Sequence, residues 1–368
     1  MDMPSVQQNK VNEEIVTEIE ILEKKVQDAL FSPDLKTRLT EELARLRTIA
    51  KIGGDYSQEY DRTARLLDWV TALPWQKRSD DILDLAYAKK VLDKNHYGLS
   101  SIKERILEYL AVLKLQKSSF AEASEDKESL KSMRAPILCF VGLVGTGKTT
   151  IAYSIAEAMG RKFERIPFGG VGDPLYLRGQ SRFYPESEPG QVIKALRRAG
   201  TKNPVILLDE VDRVVEESRA TIMGVLVELL DPEQNMAFAD HFIDSPFDLS
   251  EVLFIATANN TTNISVAVLD RLEPMQMPSY TDEEKITIGR DFIFPKTMKE
   301  SGLTKENLEI ANSVWPKIVR PLGYDAGVRT LERTISGICR KVAKLIVEKR
   351  GTKLNLTEEN IKGFLPTW

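Results

Sequence analysis

The chain is 368 residues long, 42% apolar and 29% charged, with a formal charge of −4. This balance describes a core-forming protein; it excludes a disordered or fibrous chain and disfavours electrostatic capture of nucleic acid. The N-terminus lacks the basic-then-apolar layout of a signal peptide, and no apolar run approaches the roughly 18–20 residues that span a bilayer. Cys139 and Cys339 are the only cysteines and His96 and His241 the only histidines, which excludes a disulfide framework and leaves little for a zinc site. A cytoplasmic protein with no membrane partner is expected.

From Glu13 to Ile52 apolar residues recur at helical spacing: Ile15, Ile19, Leu22, Val26 and Leu30, then Leu39, Leu43, Leu46 and Ile49. Ser32-Pro33 is a helix-start signal between the two runs, so a helical hairpin is expected. Gly53-Gly54 breaks it, and further helices are expected over Tyr60–Leu73, Asp81–Asp93 and Ile102–Leu115. Residues 117–134 are polar, with almost no large apolar side chains, and read as a linker or surface loop. Beyond them the pattern changes. Ile137–Val141 is a continuous apolar run ending in a glycine-rich turn, Thr149–Met159 is helical, and Gly160 supplies a stop. Short strands follow at Phe163–Phe168, Val205–Leu208 and Val252–Ala256, separated by helical stretches. Continuous apolar strands joined through helices predict an α/β fold with a parallel sheet covered on both faces. From Asp282 onward the pattern is helical again, with Leu331, Ile335, Ile338, Val342 and Ile346 on one face. Three units are expected: helices over 1–80, the α/β unit over 81–278, and a helical unit over 279–368.

The turn after the first strand is Gly142-Leu-Val-Gly-Thr-Gly147-Lys148-Thr149, which fits G-x-x-x-x-G-K-[ST] between a strand and a helix. Glycines let the backbone curl so that its N–H groups face phosphate oxygens, and the helix N-terminus adds partial positive charge. Lys148 would reach the β- and γ-phosphates of ATP, and the Thr149 hydroxyl would ligate Mg²⁺. The nucleotide-binding set is Gly142, Gly145, Thr146, Gly147, Lys148, Thr149, Thr150 and Asp209. Val205–Leu208 runs straight into Asp209-Glu210, and two carboxylates at the end of a buried strand are costly unless chemistry uses them. Asp209 would hold Mg²⁺, and Glu210 would orient and deprotonate the attacking water. A third strand ends at Asn259, which could hold that water. Arg271, in Leu269-Asp-Arg, and Arg329, in Gly327-Val-Arg, could stabilise charge on the transferred phosphoryl group.

In this order, the loop, acidic pair, strand-terminal Asn, Leu-Asp-Arg and Gly-Val-Arg resemble the AAA+ ATPases. More narrowly, the chain resembles the ATPase portion of Lon-type ATP-dependent proteases from about residue 20 to 365. That likeness is carried by Leu73-Pro-Trp75, His96-Tyr-Gly-Leu99, Ile106-Leu-Glu-Tyr-Leu-Ala111, Gly169-Gly-Val171, Leu230-Asp-Pro-Glu-Gln-Asn235, Asp240-His241 and Ala326-Gly-Val-Arg-Thr-Leu-Glu-Arg333. The resemblance implies a core of strand order 5-1-4-3-2 with a helical lid, and a homo-hexameric ring with ATP between subunits. Within it, Lys148 and Thr149 would be the Walker A pair, Asp209 and Glu210 the Walker B pair, Asn259 sensor 1 and Arg329 sensor 2. Arg271 would be the arginine finger entering the neighbour's site, and Tyr184 the aromatic of a loop that grips a polypeptide substrate in the pore.

No stretch resembles the family's substrate-binding region or its peptidase nucleophile motif, so peptide cleavage would need a missing domain or a separate peptidase subunit. Three internal departures stand out. Leu143-Val144 replaces a usual pair of prolines. The loop usually reading Tyr-aliphatic-Gly-Ser-Met-Pro-Gly is here Tyr184-Pro-Glu-Ser-Glu-Pro-Gly190, and a second loop, usually Gly-Asp-Pro, is Ala220-Thr221-Ile222. Two alternatives stay open: an ATPase remodelling nucleic acid or protein complexes, opposed for nucleic acid by the acidic balance, and an ATP-binding scaffold with a degenerate site.

Overall fold

The computed structural model describes residues 18–29, 31–52, 57–122, 136–320, 326–349 and 351–365. The apolar run Ile137–Val141 forms strand β1, followed in chain order by β2 (Phe163–Pro167), β3 (Val205–Asp209), β4 (Phe238–Asp240), β5 (Ser245–Phe247), β6 (Leu253–Ala258) and β7 (Leu272–Gln276). Five of these build one parallel sheet in the order β2-β3-β6-β1-β7, while β4 and β5 pair as a separate antiparallel hairpin. Counting the strands of the large sheet alone, the order read from the β7 edge is 5-1-4-3-2.

Strand alternation divides the core into two layers. Cys139, Val141, Ile206, Leu208, Ala256 and Ala258 face one way, and pack with Leu39, Leu43 and Leu66 of the N-terminal helices. Leu138, Phe140, Val205, Leu207, Leu253 and Ile255 face the other way, onto Val91, Ile106 and Ile151. This two-sided burial is why the strands read as unbroken apolar runs. A third cluster around Trp315, Ile335 and Ile338 forms the core of the C-terminal helices.

The expected helices are present with shifted ends. Helix Pro33–Ile52 starts at the Ser32-Pro33 signal. The next runs Ser57–Ala72; the Gly53-Gly54 break between them lies outside the described residues. The helix expected from Asp81 begins at Leu85, because the Asp84 carboxylate accepts the N–H groups of Ala86 and Tyr87 at 2.8 and 3.3 Å and caps it there. Polar 117–134 is not all loop: helix Ser100–Glu122 carries on through its first six residues, and residues 123–135 lie outside the described set. Polarity there does not mark the end of the helix. The C-terminal unit also departs from an all-helical reading, since β8 (Leu308–Ile310) pairs in parallel with β9 (Leu354–Leu356). Three-residue strands brought together from so far apart leave no periodic trace in the sequence.

Candidate active site

Strand β1 delivers the chain to the loop Gly142–Gly147, and helix Lys148–Met159 carries it away. Gly145 and Gly147 adopt φ of +83° and +95°, a region where a side chain is strained. The curl is held from the C-terminal unit as well. The Val328 N–H donates to Gly145 O at 3.0 Å, and the Tyr280 hydroxyl donates to Thr146 O at 3.1 Å. A Cβ on Gly327 would meet Val144 O at 2.5 Å, so only glycine lets this segment lie against the loop. Arg329 follows directly, its backbone beside Gly145 and its side chain exposed.

Lys148 is buried under the loop. Its Nζ donates to Gly142 O at 2.6 Å, Leu143 O at 3.0 Å and Asn259 Oδ1 at 3.2 Å. Burial lowers the pKa of this ammonium, against the opposing pull of Asp209, Glu210 and Asp212. The structure therefore brings together the loop lysine and the strand-terminal amide that the sequence singled out separately. Asn259 Nδ2 is buried with no hydrogen-bond partner among the described residues. An orphaned buried donor beside an ammonium and a curled glycine loop suits an anionic ligand or the water next to it.

At the end of β3, Asp209 is buried. Its Oδ2 accepts from Arg165 Nε at 2.7 Å, and its Oδ1 accepts the Thr257 hydroxyl. The same Thr257 oxygen accepts the Glu210 N–H at 2.9 Å. Glu210 sits at φ +58°, an unusual value for a side-chain-bearing residue, with Arg213 3.6 Å from its carboxylate. Asp212, also buried, accepts the N–H groups of Asn259 and Asn260 at 3.1 and 3.4 Å. Arg165, Thr257 and Asp212 were not among the sequence candidates. Two of them left a signal: Asp212 is a third acid three residues after the first, and Thr257 is the one hydroxyl in the apolar run Leu253–Ala258.

The Thr149 and Thr150 side chains flank the loop at the helix start, and the Thr150 hydroxyl donates back to Gly147 O at 2.9 Å. Among the described residues no three His, Cys, Asp or Glu side chains form a metal cage. Thr149 with Asp209 is the donor set of a hard cation that takes its remaining oxygens from phosphate and water, so these residues fit Mg²⁺.

Arg271 stands apart. It precedes β7, and Ile137 and Leu272 are register partners at the start of the parallel β1–β7 pair. The Gly142–Gly147 loop leaves the opposite end of β1, roughly 16 Å away for a five-residue strand. Arg271 is engaged locally, donating to Asp231 at 2.6 Å through Nη2 and to Ala267 O at 2.8 Å. A cavity of about 900 Å³ also opens at this end, lined by Arg271, Arg161 and Asp81 among others. Its size does not mark the chemistry, because the glycine loop, Lys148 and the acidic pair all lie at the other end of the strands. Tyr184 and Phe183 are both exposed.

Comparison with known proteins agrees with this geometry. Residues 138–279 match the family model "ATPase family associated with various cellular activities (AAA)", and residues 299–354 match the "Lon protease AAA+ ATPase lid domain". Lon protease 1 of Bacillus subtilis is 42% identical over 348 residues, covering 95% of this chain and 43% of the relative. Lon protease 2 of Thermus thermophilus is 40% identical over 365 residues, covering 99% of this chain and 44% of the relative. The chain thus spans about two fifths of the length of the curated relatives it matches. Loop, acidic strand end and lid occur together along a stretch that is nearly collinear with those relatives, and the chain carries an AAA ATPase domain followed by a Lon-type lid domain.

Proposed function

We propose that this chain binds ATP with Mg²⁺ at the Gly142–Thr149 loop, hydrolyses it, and couples hydrolysis to moving or remodelling polypeptide. The observation that carries the reading is the convergence of Lys148, Asn259, Asp209 and Glu210, from three different strand ends, around one glycine-rich loop. Lys148 exchanges its carbonyl contacts for phosphate oxygens. Backbone N–H groups of the loop and the start of helix Lys148–Met159 bind the phosphates and fix their orientation. Thr149 and Asp209 hold Mg²⁺, which when bound neutralises charge on the phosphate oxygens. Glu210, held in place through its backbone by Thr257, takes the proton of the attacking water. The unpartnered Asn259 amide orients that water. Arg329 reaches the phosphates from the lid.

Arg271 cannot reach its own chain's loop from the far end of β7, which supports a role in a neighbouring copy, and with it a ring of the homo-hexameric kind. Exposed Phe183 and Tyr184 support contact with a polypeptide substrate. A peptidase, as a further domain or separate subunit, would turn this ATPase into part of a Lon-type protease. Both cysteines are buried free thiols, which suits a cytoplasmic setting, and no helix of the described residues is long and apolar enough to cross a membrane.

The test of the shared site is complementation. Lys148→Ala and Arg271→Ala, each inactive alone, should regain up to about a quarter of wild-type turnover when mixed, the random share of sites receiving both intact residues. Full turnover by Arg271→Ala alone, or no recovery on mixing, contradicts a site shared between copies.

A further inference from the structure

We propose that Arg165 is a positioning residue that competes with the divalent cation for Asp209, so that metal entry requires this arginine to let go. The inference rests on the reading above in which Asp209 is the metal-side carboxylate. Arg165 lies on β2, the edge strand of the sheet, opposite Leu207 of β3. Residues two apart on a strand share a face, so Arg165 leans along the same face towards Asp209. Its Nε and Nη2 both reach Oδ2, at 2.7 and 2.5 Å, while Oδ1 is occupied by Thr257.

The two contacts on this carboxylate differ in kind. Thr257 is fully buried, and its oxygen also fixes the Glu210 backbone, so it stays in place. The Arg165 side chain is 52% exposed and can swing into water at little cost. Asp209 offers one negative charge. A guanidinium on Oδ2 uses that charge and also repels a doubly charged cation brought close to the same oxygen. Metal binding is then coupled to release of Arg165, and the empty site keeps its buried acid paired, avoiding an uncompensated charge.

The experiment is a titration of the full chain with a fluorescent ATP analogue, in EDTA and across a range of free Mg²⁺, with no turnover readout. For Arg165→Gln, analogue affinity in EDTA should stay within about twofold of wild type. Its half-saturating Mg²⁺ should fall about fivefold, equivalent to about 1 kcal/mol. Arg165→Lys keeps a charge but loses the fork, and should give a smaller fall in the same direction; it carries the test if the glutamine variant does not fold. Half-saturation that is unchanged or raised in the variants overturns the proposal and makes Arg165 a fixed support of Asp209. Asp209→Asn tests the underlying reading separately. It should lose most of the Mg²⁺ effect on analogue binding, and a wild-type Mg²⁺ response there removes Asp209 from the metal site whatever Arg165 does.

Discussion

Two loops of this chain show opposite relations between backbone and residue choice. In the glycine loop Gly142–Gly147, the positions that need positive φ are filled by Gly145 and Gly147, and contacts from the C-terminal unit brace the curl. In the loop Ser181–Gly190, the residue at φ +57° is Glu186, the aromatics Phe183 and Tyr184 are exposed, and the base is anchored by buried or half-buried partners. There Arg182 pairs with Glu42 at 2.7 Å, and buried Asp240 accepts the Gly190 N–H at 2.7 Å. The first loop is shaped to surround something; the second is shaped to present something. Chemistry tolerates little displacement of the first, whereas the tip of the second is free to vary once its base is fixed.

The sharpest way to break this contrast is at Lys148. Lys148→Ala should lower ATP turnover at least about 100-fold and weaken nucleotide binding in a fluorescence titration. Tyr184→Ala should leave basal ATP turnover within about twofold while reducing any stimulation by added unfolded polypeptide. If both variants lose basal turnover equally, the two loops are not separable in function.

Next in size is the base of the presenting loop. Asp240 accepts three backbone N–H groups, from Gly190, Phe242 and Ile243. Asp240→Ala leaves three buried donors without a partner and should cost about 3 kcal/mol in urea unfolding. A loss below about 1 kcal/mol would show that the loop is not anchored there.

A pH test reaches the helix behind the glycine loop. His96 Nε2 lies 2.9 Å from the Ser154 hydroxyl, and burial, helped by Lys103, pushes its pKa down to about 4 from the ordinary 6.5. The folded state therefore favours the neutral ring, while the unfolded chain takes up a proton below about pH 6.5. Stability from this group is complete above that pH and declines as pH falls towards 4, by about 3 kcal/mol in all. His96→Gln should flatten that part of the stability–pH curve relative to wild type, and an identical slope would assign the acid loss to other groups.

The smallest effect is expected at Glu186. Glu186→Gly should stabilise the chain by about 0.5–1 kcal/mol by relieving the left-handed backbone, with basal ATP turnover unchanged.

Features confined to a short segment are legible in the sequence. The glycine loop, the acids at the end of β3 and the apolar strands each announce themselves within ten residues, because curl, charge and burial on both faces are properties of short segments. What depends on pairing across the sheet is not legible there. Arg165 reads as an ordinary charge on an edge strand, and only β2–β3 register brings it to Asp209. Thr257 is visible as an anomaly in an apolar strand, but its link between Asp209 and Glu210 needs β3 beside β6. The β4–β5 hairpin that supplies Asp240 was missed for the same reason, its strands being too short to show alternation.

The most direct test of the account is to measure nucleotide binding and ATP turnover on the same samples of wild type and Glu210→Gln, over a range of protein concentration. The expected result is equal binding in both proteins, with turnover falling at least about 100-fold in the variant. Turnover by Glu210→Gln at the wild-type rate would contradict the assignment of Glu210 as the base.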